Sequence, residues 1–184
     1  DTDQYYLSLY DPTQADLNWR NPAVREEAAE VVQFWMDKGV KGFRFDVINV
    51  IGKDAELINS TGDIDQEKAL YTDRPIVHEY LQELNQKSFG KDPEIESSIG
   101  YTHPDNDELT MVFSFHHLKV DYPNKEKWAS APFDFLELKK IMHDWQVGLG
   151  ENGGWNALFW NNHDQPRTIT RFGDDEKYRE KTAT

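Results

Sequence analysis

Two side chains of opposite charge interrupt an apolar stretch, "VKGFRFDVINVIGK", which occupies residues 40–53. If this stretch begins as a strand, alternate side chains share a face. Arg44 and Asp46 then lie on one face, and the apolar residues around them, including Val47, lie on the other. A guanidinium beside a carboxylate keeps the carboxylate ionised, which suits a nucleophile. The alternative is a buried structural ion pair, because a buried charge needs a partner.

A second polar group, "NNHDQPR", occupies residues 161–167 and follows the apolar stretch "WNALFW". Asn162, His163 and Asp164 lie at the end of a predicted strand, because Pro166 cannot continue a central strand. One interpretation is a polar turn in which Asp164 caps the following helix. The other is a set of hydrogen-bonding groups for vicinal sugar hydroxyls, with a second carboxylate that fits glycoside chemistry.

The histidine patterns do not predict a metal site. The stretch "HEYLQ" at residues 78–82 lacks the second histidine of the H-E-x-x-H zinc motif. His116 and His117 are neighbours in a predicted strand, so they point to opposite faces and cannot chelate one ion together. We therefore expect one packed histidine and one that faces a site, with no metal and no other cofactor.

Helical and strand patterns alternate along the chain, which indicates an α/β fold with parallel strands. Asn21 and Pro22 begin the first helix and Gly39 ends it, Pro75 begins a second, and residues 134–149 form a third. Their apolar stripes are predicted as Val24, Ala28, Val31, Val32 and Trp35; as Ile76, Tyr80 and Leu84; and as Phe135, Leu138, Met142 and Trp145. Strands are predicted at 40–46, 110–117 and 155–162, and loops at 52–72 and 88–108.

The bulk composition excludes several classes of partner. The chain has 184 residues, of which 38% are apolar, a formal net charge of −14 and no cysteine. The long-range field of such a chain repels phosphate backbones and anionic membranes, so we expect neither nucleic acid nor membrane as a partner. The lack of cysteine fits a cytoplasmic protein. The chain starts without methionine and ends within a charged helical pattern, so we expect a fragment.

Three motifs, in this order along the chain, resemble the α-amylase superfamily of glycoside hydrolases. "QADLNW" at residues 14–19 is similar to a short loop motif of the oligo-1,6-glucosidase branch. "GFRFDVINVIGK" is similar to the family's strand-four motif, and "NNHDQP" to its His-Asp motif after strand seven. The resemblance implies that residues 1–184 form one partial catalytic domain, a partial (β/α)₈ barrel from about strand four to the helix after strand seven.

The resemblance also implies a role for each polar side chain in a retaining α-glucosidase. Asp46 would be the nucleophile that forms a covalent glycosyl-enzyme, and Arg44 would hold it ionised and oriented. Asp164 would bind the 2- and 3-hydroxyls of the glucose ring, His163 would add a hydrogen bond, and Arg167 would belong to the same substrate site. The alternative is a non-catalytic sugar-binding remnant.

The general acid of that family has no clear counterpart in this sequence. The family carries it in a strand-five motif close to Thr-Val-Gly-Glu, and the flanks here continue as though roughly ten residues were missing between Ile95 and Glu96. Glu94 and Glu96 are the nearby carboxylic acids that could replace it. We therefore expect a chain of this sequence alone to be inactive.

A local group of lysines suggests a phosphorylated substrate. The stretch "HHLKVDYPNKEKW" at residues 116–128 follows the predicted sixth strand and carries Lys119, Lys125 and Lys127 in an otherwise acidic chain. One interpretation is a set of solvated charges balanced by Asp121 and Glu126. The other is that Lys119 contacts the phosphate of a phosphorylated disaccharide, with Lys125 or Lys127 assisting.

Overall fold

A computed structural model of the chain describes residues 3–59, 61–89, 105, 108–126, 131–174 and 176–180, the side chains of Ile64 and Lys125 excepted. The chain divides into two compact units, Asp1–Ser97 and Ser98–Thr184. Its regular elements are α1 (Pro22–Asp37), α2 (Ile64–Tyr71), α3 (Pro75–Lys87), β1 (Val112–Phe113), α4 (Phe135–Glu151), β2 (Asn156–Ala157) and α5 (Thr168–Phe172). Within the described residues, short 3₁₀ turns occupy Ile48–Val50, His116–Lys119 and Pro123–Lys125.

In the first unit, α1 packs against α3. The side chain of Asn21 accepts a hydrogen bond from the backbone of Ala23, as its predicted capping role requires. Gly39, just beyond the helix, has a φ of +90°, a conformation that side chains with a Cβ rarely adopt. The core of this unit is formed by Ala29, Val32, Leu84 and Phe89, with Met36, Phe43 and Phe45 packed against it.

Residues 40–45 have no regular secondary structure, so the strand predicted at 40–46 is wrong in this chain. The predicted alternation of faces nevertheless holds. The rings of Phe43 and Phe45 lie 6.3 Å apart and face the core, whereas Arg44 and Asp46 are exposed. Alternation fails at Val47, which is 48% exposed and has a left-handed backbone with φ 46°. A β-branched residue adopts that conformation only under strain.

The loop predicted at 52–72 is also wrong in part, because it contains α2. This helix has only eight residues, and its N-terminus is capped by the Asp63 carboxylate, which accepts from the backbone of Asp65 and Gln66. Helix α3 begins at Pro75 as predicted and buries Tyr80 and Leu84. The apolar stripe of α1 is less buried than expected, because Val31 and Trp35 are 53% and 48% exposed.

The second unit contains a parallel pair of strands, as the sequence predicts. Val112 pairs with Asn156 and Phe113 with Ala157. The strands are much shorter than the predicted ranges 110–117 and 155–162, since each has two residues. Helix α4 follows β1 and begins at the predicted place, where the Asp134 carboxylate accepts from the backbone of residues 136 and 137.

The two histidines after β1 lie in a 3₁₀ turn rather than in a strand. His117 is buried and His116 stacks on Trp145 of α4, with ring centres 4.9 Å apart. Of the predicted α4 stripe, Leu138 is buried, whereas Phe135 is 64% exposed. Among the residues that the structure describes, no helix has the length and apolar character needed to cross a membrane.

Candidate active site

In the first unit, Arg44 and Asp46 form a direct ion pair. Nη2 of Arg44 donates a 2.9 Å hydrogen bond to Oδ1 of Asp46. The two side chains are 53% and 71% exposed, so the alternative of a buried structural pair does not hold in this chain. Within the described part of the chain, Oδ2 of Asp46 accepts no hydrogen bond. The carboxylate thus has one oxygen held by a cation and one open to a ligand.

The segment that follows Asp46 is fixed by buried contacts. Nζ of Lys53 lies 2.5 Å from Oδ1 of Asp16, and these side chains are only 13% and 16% exposed. The other Asp16 oxygen accepts from the backbone of Leu9. Gly52 packs directly on α3, where a Cβ would come within 2.7 Å of methyl groups of Ile76 and Val77. The "QADLNW" motif therefore has a structural role, through Asp16, that sequence reasoning did not assign.

Tyr10 is a polar neighbour of Asp46 that sequence reasoning missed. Burial, and then the negative charges of Asp16 and Asp46, raise the pKa of the Tyr10 phenol. The phenol is protonated at neutral pH even at its ordinary pKa of 10.0, so Tyr10 carries a hydrogen-bond donor whose charge state is coupled to the Asp46 carboxylate. No sequence signal identifies it, because it lies 36 positions before Asp46 in a segment without regular structure.

In the second unit, the polar motif after β2 forms a tight turn. Oδ1 of Asn162 accepts from the backbone N–H of Asp164 at 2.9 Å. Nε2 of His163 lies 3.3 Å from Oδ2 of Asp164, and the two side chains are 79% and 62% exposed. Asp164 does not cap α5, whose N-cap residue is Arg167. The structure thus brings His163 and Asp164 together with their polar atoms open to solvent.

The buried His117 supports the strand that leads into this turn. Its Nε2 lies 2.6 Å from the backbone oxygen of Phe159, and because a carbonyl only accepts, Nε2 carries the proton and donates. The ring also makes edge contacts with Phe159 and Trp160. His117 is the packed histidine that the sequence predicts, and it contributes structure rather than chemistry.

Lys119 is exposed on the segment that follows β1. It lines a groove of about 400 Å³ together with His116, Glu137, Asp144 and Trp145. Asp121, which sequence reasoning offered as a counter-charge for the lysines, pairs instead with Arg171 at 2.5 Å. The structure describes only the backbone of Lys125, and Lys127, Glu94 and Glu96 lie outside the described residues.

The motifs and the α/β order find their counterpart among known proteins. A family model described as the catalytic domain of alpha-amylase matches residues 1–184 of the chain. The chain belongs to the alpha-amylase family. The catalytic domain of this family is a (β/α)₈ barrel, of which this chain is a part.

Relatives within the alpha-amylase family cover almost all of this chain. The trehalose-6-phosphate hydrolase of Bacillus subtilis (strain 168) is 55% identical over 98% of this chain and 34% of its own length. The oligo-1,6-glucosidase of Parageobacillus thermoglucosidasius is 45% identical over 99% of this chain and 35% of its own. The crystal structure of Bacillus licheniformis trehalose-6-phosphate hydrolase superimposes with a TM-score of 0.87 at 53% identity, covering 95% of this chain and 33% of that one.

Two differences in length follow from these alignments. The chain spans about a third of the length of the curated relatives it matches. The alignment with the Bacillus subtilis protein extends over 191 residues while using 98% of a chain of 184, so about 11 positions of that alpha-amylase family relative have no counterpart here. This number is close to the roughly ten residues that the sequence suggests are missing beside Ile95.

Proposed function

We propose that this chain is part of a retaining α-glucosidase that hydrolyses trehalose 6-phosphate to glucose and glucose 6-phosphate. The proposal is carried by the exposed Arg44–Asp46 pair, in which one carboxylate oxygen is held and the other is open. It is supported by the higher identity to a trehalose-6-phosphate hydrolase, 55%, than to an oligo-1,6-glucosidase, 45%. We further infer that residues 1–184 supply about strand four to the helix after strand seven of the barrel.

The proposed first step is attack of Oδ2 of Asp46 on the anomeric carbon of the substrate glucose. The carbon–oxygen bond to the second sugar breaks, and its oxygen takes a proton from a general acid. Arg44 holds Oδ1 and so orients the attacking oxygen. Water then hydrolyses the glycosyl-enzyme with net retention, and Asp46 is released as a carboxylate.

The turn after β2 supplies the proposed contacts to the sugar ring. Asp164 accepts hydrogen bonds from the 2- and 3-hydroxyls, which strengthen as the ring distorts toward the oxocarbenium-like transition state. His163, whose Nε2 lies 3.3 Å from Asp164, adds a further bond to the same ring, and Arg167 is exposed three positions after Asp164. Lys119 is proposed to contact the 6-phosphate.

The missing acid is the main obstacle to activity. Glu94 and Glu96 remain the proposed substitutes within this chain. Loss of a general acid lowers the rate by about 10²–10⁴. An incomplete barrel also leaves unpaired strand edges, so we expect the isolated chain to hydrolyse no trehalose 6-phosphate.

Two chimaeras test the proposed function. In the first, residues 1–184 replace the matching third of the Bacillus subtilis protein; in the second, called the restored chimaera, the positions without a counterpart are also returned between Ile95 and Glu96. We expect the restored chimaera to release glucose 6-phosphate from trehalose 6-phosphate faster than it releases glucose from isomaltose. Preference for isomaltose would favour an oligo-1,6-glucosidase or dextran glucosidase. Inactivity beside an active parent would favour a sugar-binding remnant.

A further inference from the structure

The Arg171 side chain of α5 is buried among partners from two other segments of the second unit. Its side chain is 7% exposed, and Nε and Nη2 donate to the two carboxylate oxygens of Asp121 at 2.7 and 2.5 Å. Nη1 donates to Oε1 of Gln165 at 2.8 Å, and Nη2 also donates to the backbone oxygen of Leu118. The ring of Tyr122 lies 5.1 Å from the guanidinium.

These contacts join segments that are far apart in sequence. Asp121 and Leu118 belong to the segment after β1 that also carries Lys119, whereas Gln165 belongs to the turn after β2 that carries Asp164. Arg171 is 50 positions from Asp121 and six from Gln165. A guanidinium can hold both at once because its donors form a planar fork of fixed geometry.

The hydrogen bond from Arg171 to Gln165 directly restrains the turn that carries Asp164. Gln165 follows Asp164 in the chain, and on the other side the Asn162 side chain holds the Asp164 backbone N–H. Apart from Arg171, Gln165 Oε1 accepts only a long 3.4 Å bond from Tyr122 among the described residues. Such a long bond contributes little, so Arg171 is the main restraint on the Gln165 side chain, while the Gln165 backbone N–H donates a 3.3 Å bond to the backbone oxygen of Asn162.

We propose that Arg171 is a positioning residue that holds the turn bearing His163 and Asp164 against the segment after β1. The buried pair with Asp121 fixes the guanidinium, and the guanidinium in turn fixes Gln165. Because the candidate sugar contact and the candidate phosphate contact lie on the two joined segments, the same anchor would set their spacing. This last consequence rests on the proposed function, whereas the anchor itself does not.

The alternative is that the Arg171–Asp121 ion pair only stabilises the fold, and this alternative predicts a different result. If Arg171 and Asp121 served stability alone, loss of the Gln165 bond would leave the turn unchanged, because the ion pair would remain. Gln165→Leu removes that bond, together with the long bond from Tyr122, and leaves the ion pair in place. Gln165→Glu keeps an acceptor for Nη1 and serves as the conservative rescue. Gln146→Leu, at an exposed position of α4, is the matched control for the same chemical change.

The test is the backbone {¹H}–¹⁵N NOE of residues 163–165 in the complete 184-residue chain. We expect the NOE to fall in Gln165→Leu and to stay at the parent value in Gln165→Glu and Gln146→Leu. Equal values in all four proteins would overturn the proposal. A parent spectrum without dispersed amide signals would also overturn it, because the anchor would then not form in this chain.

A kinetic arm in the restored chimaera tests the consequence for catalysis. We expect Gln165→Leu to lower kcat/KM for trehalose 6-phosphate about tenfold, which corresponds to the loss of one hydrogen bond, with the loss mainly in kcat. Gln165→Glu should recover most of it. An inactive parent chimaera would count against the proposed function alone, since the NOE measurement needs no substrate. An active chimaera in which Gln165→Leu and Gln146→Leu have equal rates would contradict the positioning role.

Discussion

Nη2 of Arg44 lies 2.9 Å from Oδ1 of Asp46, and neither side chain is buried. Exposed ion pairs contribute only about 0–1 kcal/mol to stability, so this pair contributes little to the fold. Its neighbour Val47 adopts a left-handed backbone that is unfavourable for a β-branched residue, and such strain is concentrated at functional sites. Both observations support a chemical role for Asp46.

Asp46→Asn should therefore abolish glycoside cleavage by the restored chimaera without unfolding it. An amide is a poor nucleophile, and the loss of several kcal/mol of barrier lowering reduces the rate about tenfold for each 1.4 kcal/mol. Asp54→Asn is a control for the same chemical change, because the Asp54 side chain is 52% exposed and also pairs with an arginine, Arg74, in the first unit. Turnover of a nitrophenyl α-glucoside is the measurement, and near-normal turnover in Asp46→Asn would refute the assignment.

The sequence predicts helices of this fold well where the signals are local. Asn21 and Asp134 are capping residues, and both helices begin next to them. Helix α2 was missed because it has eight residues, too few for a clear apolar period, and depends on the Asp63 cap. The strand pattern at 40–46 correctly predicts the two faces but not pairing, because a strand needs a neighbour that the pattern itself does not contain.

The sequence predicts those parts of the candidate site that lie within its short motifs. Arg44 with Asp46, two positions apart, and His163 with Asp164, which are adjacent, make contacts that follow from their short spacing. Interactions across long separations carry no such signal, as for the charge interaction of Tyr10 with Asp46 and the ion pair of Arg171 with Asp121. The sequence alone suggests Asp121 as a counter-charge for the nearby lysines. Its actual partner, Arg171, is 50 positions away, and only the fold brings the two together.

Lys119 should distinguish phosphorylated from neutral substrates. We expect Lys119→Ala in the restored chimaera to lower kcat/KM for trehalose 6-phosphate about tenfold or more, because a charge-assisted hydrogen bond contributes about 1.5–3 kcal/mol. Cleavage of a nitrophenyl α-glucoside should barely change. Lys139→Ala, an exposed lysine of α4, is the control. Equal losses on both substrates would place the phosphate site elsewhere.

His116 should titrate below its ordinary pKa of 6.5. Burial, and then the charges of Lys119 and His117, lower the pKa of its imidazole. The unfolded chain then binds more protons than the folded chain just below pH 6.5, so this contribution to stability is present above that pH and is lost as the pH falls through the folded pKa.

An NMR titration of the His116 ring in the 184-residue chain measures this shift. Lys119→Gln should raise the midpoint, because it removes one of the repelling charges. A midpoint above 6.5 in the parent chain, or no response to Lys119→Gln, would contradict the stated causes.

Removal of Arg171 should destabilise the second unit strongly. Arg171→Leu leaves the Asp121 carboxylate, which is 14% exposed, without its cation, and breaking a buried pair on one side costs about 3–5 kcal/mol. Lys140→Leu is the control, because it breaks an exposed pair with Asp144 worth about 0.5 kcal/mol or less. Urea unfolding compares the two, and equal midpoints would show that the Arg171 pair contributes nothing beyond a surface contact.

The most direct test of the proposed chemistry is covalent trapping with 5-fluoro-α-glucosyl fluoride. Fluoride leaves without protonation, so the trap forms even where the general acid is missing, and it can be applied to both chimaeras. Trypsin cleaves after Arg44 and Lys53 and releases residues 45–53, in which Asp46 is the only carboxylic side chain. We predict that mass spectrometry finds one fluoroglucosyl group on this peptide. A label on any other peptide, or none where the parent relative is labelled, would contradict the assignment of Asp46 as the nucleophile.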